Sequence, residues 1–502
     1  MESYWLRSTP APRHTALTGD VSCDVAVVGA GIAGVSVAVE LARSGRSVVL
    51  LEARRIGGGV TGNTTAKVSV AHGALYARLA RRLGEEAARQ YAESQGVALE
   101  HVAGTAARLG VACDLERRPA YVYTEDPSQV PLLETEASAA RRAGLAATFV
   151  RDTGLPFPVA GAVRFEDQLM FHPIKYLHGV VEGLLRDGGR VFEGTRVVGL
   201  REGRPSALSC DNGSTVSAAE VVVTTHYPVF DRSLLFARMT PRREFAVAAA
   251  VPASADLDGM YVSTESDTRS VRSAAHPGGR LLVATGAPFT PGDSSAPQNL
   301  ERLRAWLCDR FQVETVDYTW AAQDNHTGDR VPFIGPLHPL ARHSWVATGF
   351  GSWGMTNGVL AGLLLAERIG GRRPPWANLY DTRRVHPTLE APTMVAGGLR
   401  SASGLAAARV RSRLARVGSV DDIPAGTAGV VRGEDGEWAT YVDDDGTAHA
   451  VSPTCTHLGC RVSFNDAERT WECACHGSRF GLDGSVLQGP ATRPLSRRDD
   501  DE

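Results

Sequence analysis

The chain has 502 residues, of which 43% are hydrophobic and 22% charged, so we expect about two to four domains with sizeable apolar cores. Lys and Arg number 53 against 56 Asp and Glu, and the net charge of −3 excludes a strongly basic nucleic-acid-binding protein as the default class. No apolar run reaches the roughly 18–20 residues needed to cross a bilayer. The N-terminal residues also lack a hydrophobic signal core, so we expect no membrane span and a cytoplasmic location.

The first motif is a strand, a glycine-rich turn, a helix and a second strand near the N-terminus. An apolar run at 23–28 leads into three glycines spaced GxGxxG, and the second apolar run ends 18 residues after the third glycine at an acidic residue. Such a turn lets the backbone approach a pyrophosphate, and the acid accepts hydrogen bonds from ribose hydroxyls. The motif predicts a dinucleotide site but does not separate FAD from NAD. Its predicted residues are Gly29, Gly31, Gly34, Glu52 and the neighbouring Arg54.

A second glycine-rich turn lies between an apolar strand at 344–348 and an apolar helix that starts near 359. The N-terminus of that helix offers donors that could face the electron-rich edge of a flavin, which favours FAD. No second GxGxxG follows a strand, so we expect no separate NAD(P)H domain. The predicted cofactor-binding residues of this turn are Gly349, Gly351, Trp353, Gly354, Met355 and Thr356.

Together these motifs resemble the D-amino-acid oxidase and glycine oxidase family of FAD enzymes over roughly residues 20–375. The resemblance implies an α/β fold, in which a Rossmann-type FAD domain at 1–380 carries an inserted α+β substrate subdomain at roughly 76–170 and 230–330. It also implies that residues 62–67 wrap the flavin ring and that a valine backbone contacts adenine. Relatives with covalent FAD carry a His where this chain has Ala, so we expect non-covalent FAD. The residues concerned are Thr64, Thr65, Ala66 and Val197.

Four of the eight cysteines fall within 21 residues near the C-terminus. Cys455 and His457 form a CxH box, and after fifteen intervening residues Cys473 and His476 form a CxxH box. Two thiolates and two imidazoles suit a Rieske-type [2Fe–2S] cluster, and a zinc site is the competing interpretation.

The two boxes resemble Rieske proteins of the cytochrome bc type, which implies a small all-β domain at 418–496. The resemblance further implies that Cys460 and Cys475 form a disulfide between the cluster loops. Such proteins usually carry a Tyr at the position of Phe480, whose hydroxyl donates to a cysteine sulfur. Because Phe480 cannot donate, we expect a lower cluster potential within the Rieske range.

The segment between the two domains differs from both in composition. Residues 371–417 carry nine arginines against two acidic residues, whereas residues 418–502 carry sixteen acidic residues against seven basic ones. We expect an Arg-rich linker at 381–417 and an acidic tail at 497–502. The linker arginines are either solvated or dock the acidic domain in a fixed pose.

Two residues are candidates for catalysis. Family members that oxidise amino acids hold the substrate carboxylate with an Arg about eight residues before the Pro of the D-x-x-P-x-I-G run, and this chain has Asp324 there. An acid at that place favours an amine or another cationic substrate, although a structural turn role for Asp324 remains open. Lys67 could poise the reduced flavin, or it could contact phosphate or lie at the surface.

Both modules move electrons, so we expect one electron-transfer chain. A C–H next to nitrogen or oxygen in a small substrate gives a hydride to FAD, and the electrons pass singly to the cluster and then to an external acceptor, such as a ferredoxin-like protein or a quinone. Three alternatives remain open. The cluster could instead supply electrons to FAD for a reduction or O2 chemistry, the flavin could use O2 directly with an auxiliary cluster, or the chain could be an electron carrier without a substrate.

Overall fold

The computed structural model describes residues 1–498 except 11, 234, 294, 392, 394, 396–415, 434 and 435. Most of the predicted Arg-rich linker and residues 499–502 of the predicted tail therefore lie outside the described residues. In the described part of the chain, no helix is both long and apolar enough to cross a membrane.

The helices in chain order are α1 (Tyr4–Ser8), α2 (Ile32–Arg43), α3 (Tyr76–Leu83), α4 (Glu85–Leu109), α5 (Val130–Arg142), α6 (Pro173–Arg186), α7 (Leu235–Arg238), α8 (Ala296–Phe311), α9 (Gly354–Ile369) and α10 (Ala377–Tyr380). The strands before the linker are β1 (Val21–Val28), β2 (Val48–Leu51), β3 (Lys67–Val68), β4 (Glu116–Thr124), β5 (Ala147–Val150), β6 (Gly161–Met170), β7 (Arg190–Phe192), β8 (Val197–Arg201), β9 (Ser206–Cys210), β10 (Thr215–Val223), β11 (Met239–Val251), β12 (Met260–Ser263), β13 (Arg269–His276), β14 (Gly279–Phe289), β15 (Tyr318–Thr327), β16 (Phe333–Pro336) and β17 (Ser344–Thr348). After the linker come β18 (Arg416–Val417), β19 (Ala428–Gly433), β20 (Gly436–Val442), β21 (Ala448–Val451), β22 (Val462–Asn465), β23 (Thr470–Cys473), β24 (Arg479–Phe480) and β25 (Val486–Gln488).

The first sheet has the strand order β16-β17-β10-β1-β2-β7, and β8 and β9 extend it from β10. Strands β17, β10, β1, β2 and β7 are parallel to one another, whereas β16 and β9 pair antiparallel with β17 and β10. The apolar residues of the parallel strands are buried because the sheet is covered by helices. Helices α2 and α9 pack against each other. The carboxyl ends of β1 and β2 therefore meet at one edge, where ligands bind in open α/β sheets.

The second sheet has nine strands in the order β15-β11-β14-β13-β12-β4-β6-β3, with β5 beside β6. Most of its pairs are antiparallel, and α8 packs on β14 and β11. Strands β11 and β15 form a ribbon in which Arg243 lies opposite Gln323 and Arg242 lies opposite Asp324. Because side chains alternate along a strand, Arg243 and Gln323 share one face of this ribbon, and Arg242, Glu244 and Asp324 share the other.

Residues 416–498 form a separate C-terminal domain of two four-stranded sheets, β18-β19-β20-β21 and β22-β23-β24-β25. Its core is aromatic, with Phe464 stacked on Tyr441 and edge-on to Trp471. The architecture confirms the predicted fold class, an α/β region followed by a small all-β domain.

Candidate functional site

The turn between β1 and α2 has the close backbone contacts that its glycines predict. Gly29 has φ +102, and a Cβ at Gly34 would lie 1.8 Å from the Gly29 carbonyl oxygen, so only glycine fits at both positions. The Glu52 carboxylate, at the end of β2, accepts hydrogen bonds from the backbone N–H of Ala30 and of Arg54, both at 2.9 Å. These hydrogen bonds hold the Glu52 carboxylate beside the turn.

A cleft, here called the nucleotide cavity, runs from this turn along the carboxyl edge of the first sheet. Gly29 and Gly31 form part of its wall without a side chain, and a Cβ at Gly29 would meet the Thr224 carbonyl oxygen at 2.8 Å. This bare backbone at the start of α2, with an acid beside it, fits the pyrophosphate and ribose of FAD. The wall also includes residues of the C-terminal domain, namely Leu487, Gln488, Gly489, Ala491 and Thr492.

A second cavity of about 390 Å³, here called the substrate cavity, lies between the second glycine-rich turn and the β11–β15 ribbon. It shares Val60, Asp324, Gly354 and Met355 with the nucleotide cavity, so the two cavities meet at these residues. Its charged and titratable wall residues are Lys67, His72, Arg242, Glu244, Asp324, His326 and Arg330. A flavin that extends from the nucleotide cavity would therefore meet a cavity with both acidic and basic side chains.

Lys67 lies in the wall of the substrate cavity. Its ammonium donates to the Ser270 hydroxyl and lies 5.6 Å from the centre of the Trp353 ring. Burial lowers the pKa of Lys67 to about 7, and the nearby Arg272 guanidinium acts in the same direction. Lys67 can therefore exchange a proton near neutral pH. Burial also raises the pKa of Glu244, although the positive charge of Lys67 acts in the opposite direction.

Asp324, on β15, has two roles in the structure. Its carboxylate accepts hydrogen bonds from the backbone N–H of Ser352 at 2.6 Å and of Asn325 at 2.7 Å, so it holds the second glycine-rich turn. It also lines both cavities. Burial raises its pKa to about 7, although these N–H donors favour the charged form. The structural role and the proposed substrate-facing role are therefore compatible.

The CxH and CxxH boxes lie on two neighbouring loops of the C-terminal domain. Cys455 and Cys473 are buried, and the rings of His457 and His476 have centroids 5.0 Å apart. Cys460 and Cys475 form a disulfide that joins the two loops. In the described part of the chain, the buried Nδ1 of His457 has no hydrogen-bond partner. Two thiols and two imidazoles gathered here fit a Rieske [2Fe–2S] cluster, with the disulfide sulfurs outside the ligand set.

The cluster loops contact the N-terminal domain at the β11–β15 ribbon. A Cβ at Gly477 would lie 2.2 Å from Gln323 Nε2, so the backbone of this loop lies directly against the Gln323 side chain. The rings of His476 and Tyr227 have centroids 6.0 Å apart. Gln323 is also part of the wall of the substrate cavity, so this residue lies between that cavity and the CxxH box.

A buried ionic cluster holds the two domains together. Arg243, with a fully buried side chain, donates to the Glu472 carboxylate at 2.7 Å and also to Glu468. Glu472 accepts a further bond from the Gly292 N–H at 2.8 Å, and Arg479 lies 3.2 Å from it. Buried charges require such pairing because their desolvation is costly. Arg243 was not predicted from the sequence, since an Arg in the charged run 242–244 carries no local signal for a partner more than 200 residues away.

The predicted cofactor residues lie in several places. Those in the wall of the nucleotide cavity are Gly29, Gly31, Glu52, Arg54, Val197, Gly354 and Met355. Those in the wall of the substrate cavity are Thr64, Thr65, Gly351, Trp353, Gly354 and Met355. Gly34, Ala66, Gly349 and Thr356 lie in neither wall. Thr356 instead ties α9 to Ser69, because its hydroxyl donates to the Ser69 carbonyl and accepts from the Ser69 N–H, both at 3.0 Å.

Several wall residues were not predicted from the sequence. They include Glu244 and His326 in the substrate cavity, and Leu487, Gln488, Gly489, Ala491 and Thr492 of the C-terminal domain in the nucleotide cavity. Glu244 ends a run of three charged residues in β11, and that run could have indicated a polar site on this strand. No local pattern marks residues 487–492 as part of a site in another domain.

Two family comparisons agree with this geometry. The family described as "FAD dependent oxidoreductase" matches residues 24–368, and the family described as "Rieske [2Fe-2S] domain" matches residues 413–498. These matches confirm the predicted enzyme class and the predicted FAD and [2Fe–2S] cofactors.

Individual relatives cover one or both domains. The chain is 32% identical over 501 residues to the "Putative Rieske 2Fe-2S iron-sulfur protein YhfW" of Bacillus subtilis, which covers 99% of this chain and 97% of that protein. It is 26% identical to the "Gamma-glutamylputrescine oxidoreductase" of Escherichia coli over 75% of this chain and 91% of that one. The glycine oxidase of Geobacillus kaustophilus superposes with a TM-score of 0.59 at 19% identity, over 73% of this chain and 100% of that chain. At that identity the superposition shows the fold alone.

Proposed function

Because this chain belongs to the FAD dependent oxidoreductase family and carries a C-terminal Rieske [2Fe-2S] domain, we propose that it oxidises a small amine-containing substrate and passes the electrons through the cluster to an external acceptor. The chain is an FAD-dependent oxidoreductase of amine or amino-acid oxidase type. When bound, FAD accepts two electrons as a hydride from a C–H next to nitrogen, and the cluster carries one electron at a time.

The observation that carries this proposal is the two-faced ribbon of β11 and β15. Glu244 and Asp324, on one face, line the substrate cavity. Gln323, which is also part of the cavity wall, contacts Gly477, next to the proposed cluster ligand His476. A single layer of backbone therefore separates the substrate cavity from the cluster loops. This short separation supports direct electron transfer between the two centres.

The outer side of the cluster loops supports an external acceptor. Leu458 follows the proposed ligand His457, and half of its side chain is exposed to solvent. The two histidines differ in this respect, because His476 is buried next to Tyr227 of the N-terminal domain. We therefore propose that electrons enter on the His476 side and leave on the His457 side, to a ferredoxin-like protein or a quinone that contacts Leu458.

The substrate cavity supports an amine as the substrate. Its acidic wall residues, Glu244 and Asp324, can accept hydrogen bonds from an amine nitrogen, and Asp324 lies where the two cavities meet. The name of the Escherichia coli relative, gamma-glutamylputrescine oxidoreductase, also specifies an amine-containing substrate for that protein. A cavity of about 390 Å³ is within the usual range for small-molecule sites, which argues against an electron carrier without a substrate.

The test is a redox titration of the holoenzyme that follows flavin absorbance and the EPR signal of the reduced cluster together. We expect the midpoint potential of the cluster to lie above that of the flavin, and we expect amines to reduce both centres anaerobically. A cluster potential below that of the flavin would overturn the proposed direction. The Cys455→Ser variant is the control: it should keep flavin reduction by substrate and lose transfer to a one-electron acceptor. Peroxide formation by this variant at the wild-type turnover rate would favour a flavin oxidase with an auxiliary cluster.

A further inference from the structure

We propose that the Rieske domain completes the FAD site, and that Gln488 donates a hydrogen bond to the nucleotide half of FAD. The inference concerns how the cofactor is held, so it stands whether or not the proposed direction of electron flow is correct. It starts from the wall of the nucleotide cavity, to which the segment 486–492 contributes Leu487, Gln488, Gly489, Ala491 and Thr492.

Contacts at both ends hold the segment 486–492 in this wall. At one end, Arg196 Nη2 donates to the Val486 carbonyl at 3.2 Å and Arg54 Nη1 donates to the Leu487 carbonyl at 3.1 Å. At the other end, the Ala491 N–H donates to the Ser478 hydroxyl at 3.0 Å, next to the CxxH box. The segment therefore connects the nucleotide cavity to the cluster loops through hydrogen bonds.

The side-chain amide of Gln488 has a buried donor, Nε2, that lacks a hydrogen-bond partner in the described part of the chain. A buried amide donor without a partner loses its hydrogen bonds to water and gains none in return, so native proteins rarely leave one unsatisfied. Gln488 lines the nucleotide cavity, and a bound nucleotide there would supply acceptor oxygens and nitrogens.

The neighbours of Gln488 indicate which part of FAD it meets. Arg54 donates from its side chain to the adjacent Leu487 carbonyl and from its backbone N–H to the Glu52 carboxylate. Glu52 is the residue expected to bind the ribose. Arg196 contacts Val486 and precedes Val197, the residue expected beside adenine. The shared cavity residues Asp324, Gly354 and Met355 mark the opposite, flavin end. Gln488 thus belongs to the adenosine and pyrophosphate end.

Two variants of Gln488 test the proposal in the full-length holoenzyme. Gln488→Leu removes the donor and keeps much of the volume, and Gln488→Glu replaces the donor with an acceptor. We expect both to raise the Kd for FAD about tenfold, measured as the fluorescence of released FAD on dilution. The matched control is Gln298→Leu, at an exposed position of α8, which should leave the Kd unchanged.

The EPR signal of the cluster serves as the folding check and should be unchanged in all three variants. Wild-type FAD affinity in Gln488→Glu would overturn the role of Gln488 as a donor. A second measurement, hydrogen exchange, tests the wall itself: backbone amides in 486–492 should exchange more slowly in the FAD-loaded protein than in the stripped protein. Protection of residues 29–34 without protection of 486–492 would overturn the contribution of the Rieske domain to the FAD site.

Discussion

The ring of Tyr227 stands edge-on to the ring of His476, with the centroids 6.0 Å apart and the planes at 68°. Tyr227 belongs to the N-terminal domain and follows His226, which lines the nucleotide cavity. His476 is the proposed cluster ligand that faces this domain. The relative position of the two domains therefore decides how close the flavin and the cluster can be, and the contacts that hold the domains together become functionally important.

We expect Arg243→Met to destabilise the docked arrangement of the domains by about 3 kcal/mol, because it removes one of the two arginines that the structure places against the buried Glu472 carboxylate. Denaturant unfolding, followed by flavin fluorescence and by the visible circular dichroism of the cluster, measures the loss. Electron transfer from flavin to cluster should slow in the same variant.

The control for this prediction is Arg302→Met. Arg302 is more than half exposed and lies 3.7 Å from Asp267, so its loss should cost no more than about 1 kcal/mol. If Arg243→Met and Arg302→Met were equally stable, the buried ionic cluster would not hold the domains together.

The pH dependence of substrate binding follows from Lys67 and Asp324, whose pKa values are both about 7. Below pH 7 the Lys67 ammonium is charged and Asp324 is protonated, whereas above pH 7 Lys67 is neutral and Asp324 is an anion. The substrate cavity therefore becomes more negative as the pH rises through 7. We expect the affinity for a cationic amine to increase over the same interval, measured as KM between about pH 5.5 and about pH 8.5.

Asp324→Asn should remove much of this pH dependence and weaken amine binding most strongly above pH 7. Asp258→Asn is the matched control, since the Asp258 side chain is 89% exposed. An amine KM that does not change with pH, or that rises with it, would contradict an electrostatic role for Asp324.

The lysine content of the chain allows a separate test of Lys67, since the only other lysine is Lys175. We expect Lys67→Met to lower the KM for a cationic amine at pH 6, where the wild-type ammonium is charged, and to leave KM unchanged well above pH 7, where it is neutral. Lys175→Met, which breaks a half-exposed ion pair with Asp114, should change neither value. Equal effects of Lys67→Met at both pH values would indicate a packing role for Lys67 instead.

The sequence predicts those parts of the site whose residues lie close together along the chain. The GxGxxG turn and Glu52 lie within 24 residues of one another, and the CxH and CxxH boxes lie within 22, so spacing alone indicates what they bind. The contact between Arg243 and Glu472 spans 229 residues, and neither residue has a local pattern that names its partner. Contacts of this kind depend on how the two folded domains pack against each other.

The linker illustrates the same limit. Its arginines were one candidate for docking the acidic domain, but residues 396–415 lie outside the described residues. The arginines that the structure places against the Rieske domain belong to the FAD domain instead, namely Arg54, Arg196 and Arg243. Net charge left a solvated linker and docking by its arginines as alternatives, and it gave no indication that arginines of the FAD domain contact the acidic domain.

The last prediction concerns the cluster potential. Phe480 is fully buried in the core that also contains Cys455 and Cys473, and its side chain has no hydrogen-bond donor. Hydrogen bonds to the sulfurs raise the potential of such clusters. We therefore expect Phe480→Tyr to raise the midpoint potential, measured by an EPR redox titration. Phe464→Tyr, which adds a hydroxyl to the same core against Tyr441 and Trp471, is the control and should leave the potential unchanged. An equal shift in both variants would mean that core polarity, and not a hydrogen bond at position 480, sets the potential.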